Sequence, residues 1–93
     1  MESSEFLAAI RQLCAAADIL AKAGPKNRRI DAFQVLAFFR RYDHPGSGSE
    51  AVVTSDDELF ARTALAALTM AGRREFAAAH ALLEQAHSLL LAG

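Results

Sequence analysis

The residues with most capacity for chemistry lie near the C-terminus. His80, Glu84 and His87 are spaced so that all three share one face of a helix, and Glu84 with His87 forms an E-x-x-H pair. Di-iron helical bundles use two such pairs with two further glutamates on facing helices. This chain offers one pair, and no acid falls within the apolar stripes of the other helices to complete the set. The plainer reading is a polar edge of a surface helix, so no metal or other cofactor is expected. A second candidate is Cys14, the one cysteine. A nucleophilic thiol needs a base beside it and a lowered pKa. Cys14 sits between Leu13 and a run of alanines, which predicts a buried structural thiol, and it has no mate for an internal disulfide.

Basic residues form the third constellation. Lys22, Lys26, Arg28 and Arg29 cluster around one turn, and Arg40–Arg41 lie at the end of the expected second helix. The Gly24–Asn27 turn would suit a helix-turn-helix, but the helix after it presents Ile30, Phe33, Val35 and Leu36 where base-reading side chains would be needed. The net charge of −1 also lacks the basic excess of a general nucleic-acid binder. No phosphate-binding glycine loop, H-E-x-x-H or C-x-x-C occurs. Nothing in the residue pattern asks for catalysis.

The elements that carry these groups are helices. Of 93 residues, 21 are alanine and 12 leucine, against three valines and three isoleucines, a balance that favours helix over strand. One domain is the natural size. A first helix is expected from Ser3 or Ser4 to Ala23, capped by serine, with Phe6, Ile10, Leu13, Cys14, Ala17 and Leu20 on its apolar face. Gly24–Pro25 should stop it, with Gly24 in left-handed geometry. A second helix is expected from Asn27 or Arg28 to Tyr42, apolar nearly all round: Ile30, Phe33, Leu36 and Ala37 on one face, Val35, Phe38, Phe39 and Tyr42 on another. Residues 43–55 read as a loop rich in Pro, Gly and Ser, with Val52 and Val53 as anchors. Ser55-Asp56-Asp57-Glu58 matches a capping box, opening a third helix that Gly72 ends. A fourth helix follows from about Arg74 to Leu91, and the tight connection makes the last two helices antiparallel neighbours.

Phe76, Ala79, Leu83 and Ala86 repeat an aromatic, small, bulky, small order. On those residues the segment 56–92 resembles a tetratricopeptide-type helical hairpin, although no proline closes the unit and no 34-residue period runs through the chain. The resemblance implies a scaffold that binds a peptide or protein.

These observations predict an all-α protein, a small four-helix bundle or two stacked hairpins. Chains this short bury only about 60–65% of their unfolded surface, yet the second helix is apolar over most of its circumference. An interface made by Phe33, Val35, Phe38, Phe39 and Tyr42 is therefore expected, most simply in a two-fold homodimer. The first 46 residues carry a charge of +2 and the remainder −3, a dipole that would guide docking. The acidic start, Met1 to Glu5, and the lack of an apolar run of 18 residues predict a soluble, cytoplasmic protein with no membrane partner. The excess of Ala and Arg hints at a bacterial source. The functional expectation is a small adaptor, secretion chaperone or regulator that sequesters a partner protein such as a transcription factor. The alternatives are a helical metal-dependent enzyme using His80, Glu84 and His87, and a DNA-binding regulator using Lys26, Arg28 and Arg29.

Overall fold

The computed structural model describes residues 1–47 and 57–92. Four helices account for nearly all of them: α1 (Ser3–Ala23), α2 (Lys26–Arg40), α3 (Asp57–Gly72) and α4 (Phe76–Ala92). Among the described residues there is no strand, and no helix is long and apolar enough to cross a membrane. The expected all-α bundle is what the chain forms.

The central element is α1. It packs broadly against α2 on one side and α3 on another, α4 lies against α3, and α2 meets α4 only lightly. Its expected stripe is buried at Phe6, Ile10, Leu13, Ala17 and Leu20, and burial extends to Ala9, Ala16 and Ala21. Those alanines place little more than a methyl group between backbones, so neighbouring helices can approach closely. Among the described residues, ten of the twenty buried apolar residues of the core are alanines. At one end of the bundle Phe6 stacks on Phe60 of α3 (5.8 Å between centroids, 11° between planes) and meets the Tyr42 ring edge-on at 6.1 Å. The core side of α4 is the row Ala79, Leu83, Ala86 and Leu90, all buried. Thr63 is buried on α3; its hydroxyl donates to the Leu59 carbonyl at 2.6 Å and accepts from Gln85 Nε2 at 3.1 Å, which ties α3 to α4.

The helix ends differ from the expectation in instructive ways. The N-cap of α1 is Glu2, not a serine, and Ser4 Oγ donates to the Glu2 carboxylate instead. Helix α2 begins one residue before the expected Asn27, with Pro25 in extended geometry at its cap. It ends at Arg40, and a turn carries the chain on through Tyr42 and Asp43. Gly24 is not left-handed: φ is −74° and ψ 173°. Glycine is needed there for space, because a Cβ would come within 2.4 Å of the Leu20 carbonyl oxygen. The α3–α4 corner closes as a Schellman motif. Glu75 N–H donates to the Met70 carbonyl and Arg74 N–H to the Ala71 carbonyl, with Arg74 at φ 64°. The third helix ends at Gly72 as expected, the left-handed position falls on Arg74, and α4 accordingly starts at Phe76. The capping residue Ser55, the anchors Val52 and Val53, and most of the 43–55 loop lie outside the described residues.

Candidate functional site

Two regions contain the residues singled out by sequence: a polar corner where α2 meets α4, and the outer face of α2.

At the corner, Arg28 lies 2.6 Å from Nδ1 of His80. A guanidinium only donates, so Nδ1 accepts, and in the neutral ring the proton sits on Nε2. That nitrogen is 3.1 Å from Glu84 Oε1 and 3.8 Å from Asp31 Oδ2. The approach to Glu84 has ion-pair separation, and buried Nε2 has no hydrogen-bond partner among the described residues. Asp31, His80 and Glu84 each offer a ligand atom, all within 4.8 Å of one another. A cation bound through Nε2 would need the imidazole proton moved to Nδ1, where it would confront Arg28. The Arg28 contact therefore opposes a metal on Nε2. His87 belongs elsewhere: its ring lies against Phe38, 4.1 Å between centroids, and near Phe39 at 6.3 Å. The metal-binding alternative thus loses one of its three residues to an aromatic cluster. It gains Asp31, which sequence spacing does not reveal because it comes from another helix.

Arg28 and Arg29 are both engaged inside the fold, Arg29 through Nε to the Gly24 carbonyl at 2.8 Å. Of the three cations on which the DNA-binding alternative rests, only Lys26 is exposed. Cys14 is half-buried, and desolvation, with a smaller contribution from the charge of Asp43, pushes its thiol up to about 11. That is opposite to the change a nucleophile needs.

The packing of α2 divides the residues of the expected interface between its inner and outer faces. Phe39 has no exposure and Val35 8%, both facing inward onto the core of a single chain. Phe38 and Tyr42 are partly buried against that core, with ring contacts to Phe39 and to each other. These four side chains are largely covered without a second molecule. Phe33 is the exception at 54% exposure, and Ile30, on the face assigned to Leu36 and Ala37, is exposed at 70%. Leu36 itself is buried. The helix has its apolar residues where sequence placed them, but the face it turns inward is centred on Ala32, Val35, Leu36 and Phe39.

The outward face has its own order. At 3.6 residues per turn, Lys26, Ile30, Phe33, Ala37, Arg40 and Arg41 fall within roughly 100° of arc, and all six are exposed. Arg41 continues the helical backbone at φ −60° and ψ −25°. The result is a short apolar stripe with a cation at its start and two at its end. Among the described residues no ion pair engages Lys26, Arg40 or Arg41, whereas Lys22, Arg11 and Arg62 are each paired with an acid. Beside the stripe, between α2 and α4, lies a shallow groove of about 350 Å³ lined by Asp31, Gln34, Val35, Glu84, His87 and Ser88.

No known family model matches the chain, and comparisons with curated proteins and with solved structures give no match.

Proposed function

We propose that this chain is a non-enzymatic protein-binding module that receives a partner polypeptide on the outer face of α2. The observation that carries the reading is the exposure of Ile30 and Phe33, two large apolar side chains on a helix whose opposite face is already filled by its own core. Each such side chain forgoes roughly 1.5–3 kcal/mol of burial while it faces water, and a partner's apolar side chains would recover that. Side chains at this helical spacing are the usual anchors when a helix meets a groove or a second helix. The reactive candidates support the same reading by their engagement: the imidazole of His80 receives Arg28, His87 packs on Phe38, and Cys14 is held as a thiol. An adaptor, a chaperone or a sequestering regulator would each use such a face. A second copy and a different chain are the two kinds of occupant.

The test is a quantitative capture from native lysate with wild-type protein, Phe33→Asp and Leu91→Asp. Leu91 is exposed but lies on α4. The expected result is a defined polypeptide retained by wild type and Leu91→Asp and lost with Phe33→Asp, while all three unfold at similar temperatures. Capture indifferent to Phe33→Asp would sink the reading.

A further inference from the structure

The charge on the outer face of α2 distinguishes between its two kinds of occupant. We infer that the face selects an acidic amphipathic segment of a different polypeptide, and not a second copy of this chain; the inference rests on the protein-binding reading above. Lys26 stands at one end of the stripe and Arg40 with Arg41 at the other, about 21 Å apart along the axis at 1.5 Å per residue. All three are exposed and none has an acidic mate among the described residues. Two copies meeting through this face about a two-fold axis would bring like charges together in either arrangement. Antiparallel helices would oppose Lys26 to the partner's Arg40 and Arg41, and parallel ones would oppose each cation to its own equivalent. Such juxtapositions act against the contact. A head-to-tail contact with an acidic surface of the next copy would not close unless the rotation formed a ring, and would otherwise grow as a filament.

A segment with apolar anchors facing Ile30 and Phe33 and acids spaced to reach both ends satisfies every group on the stripe. A helix would place those acids about four turns apart; an extended strand would place them about six or seven residues apart. Nucleic acid would use the cations but leave Ile30 and Phe33 facing a phosphate backbone, which offers them nothing. An anionic membrane would use both kinds of group, but two large apolar side chains give a small insertion area.

The probe is an amphipathic helical peptide of about 18 residues with an apolar stripe bracketed by glutamates. Its twin has lysine at every glutamate. Both are titrated by fluorescence anisotropy at two salt concentrations against the full chain, Phe33→Asp, and the triple variant Lys26→Glu, Arg40→Glu, Arg41→Glu. Sedimentation equilibrium of the unliganded chain accompanies the titration. The expected result is a preference of roughly tenfold or more for the acidic peptide, weakened by salt. The triple variant should reverse that preference, Phe33→Asp should abolish binding, and the chain should sediment near its own 10.0 kDa. Equal binding of both peptides, lost with Phe33→Asp, would overturn the acidic partner and leave the protein-binding face standing. Binding of neither peptide would also overturn the inference. So would a dimer dissolved by Phe33→Asp, or tighter binding of duplex DNA or anionic vesicles than of the acidic peptide.

Discussion

Helices α1 and α2 are joined by a single corner and put apolar residues to opposite uses. In α1, eight residues are buried and four of them are alanines, and other helices lie along much of its length. In α2, four residues are buried, and Ile30 and Phe33 project into solvent from the other side. α2 is the more aromatic of the two, yet it is peripheral. The contrast teaches that centrality in a small bundle follows from how closely neighbours can approach. Alanine on several sides of α1 admits them, whereas the large side chains of α2 fill one interface and leave a second uncovered.

The strongest way to break this comparison is to truncate one large side chain on each helix. Leu13→Ala empties a fully buried site on α1 and should cost about 2–5 kcal/mol in denaturant unfolding. Phe33→Ala on the outer face of α2 should change stability by no more than about 0.5 kcal/mol. Equal losses would mean that α2 is covered on both sides within one chain.

Next in size are the glycines at the two corners. Gly24→Ala, at the α1–α2 junction, forces a methyl group against the Leu20 carbonyl oxygen, and a loss of about 1–3 kcal/mol is expected. Gly72 is helical, and a Cβ there meets nothing within 4 Å. Gly72→Ala should therefore stabilise the chain by about 1 kcal/mol. Thermal melts of the two variants should move in opposite directions; a gain from Gly24→Ala would show that the α1–α2 corner has slack.

A further contrast is a pH dependence. The Cys14 thiol is raised in the folded chain to about 11, mainly by desolvation. A thiol so raised contributes stability that is complete below its unfolded value, about 8.5, and is lost as pH rises through the folded value. Wild type should thus weaken between about pH 8.5 and 11 more than Cys14→Ala does, and thiol labelling at pH 8 should be slow until denaturant is added. Rapid labelling of the native chain would place α1 less deeply than the packing does.

Much of this architecture was legible in the residues. The three-and-four spacing of Phe6, Ile10, Leu13, Ala17 and Leu20 has one phase only, and the structure buries that phase. In α4 the row Ala79, Leu83, Ala86 and Leu90 keeps the same steps and is buried, but apolar residues on its other sides make that phase less distinct. In α2 the apolar residues occupy almost every direction, so periodicity could not say which would turn inward, and tertiary packing chose Ala32, Val35, Leu36 and Phe39. The same choice set the candidate face. Phe33 stays exposed, Val35 and Phe39 are drawn into the core, and Ile30, Lys26, Arg40 and Arg41 align with Phe33 only once the outward direction is fixed. Asp31 at the polar corner meets His80 across helices, which no spacing along one helix encodes.

A core in which every second buried apolar residue is alanine has a thermal consequence. Alanine gives up no rotamer freedom when it is buried, and each methyl group displaces little hydration water. The heat capacity of unfolding grows with newly wetted apolar area, so this interior should keep it low for the length of the chain. The curve of stability against temperature is then broad, with strength that changes gently on either side of its maximum.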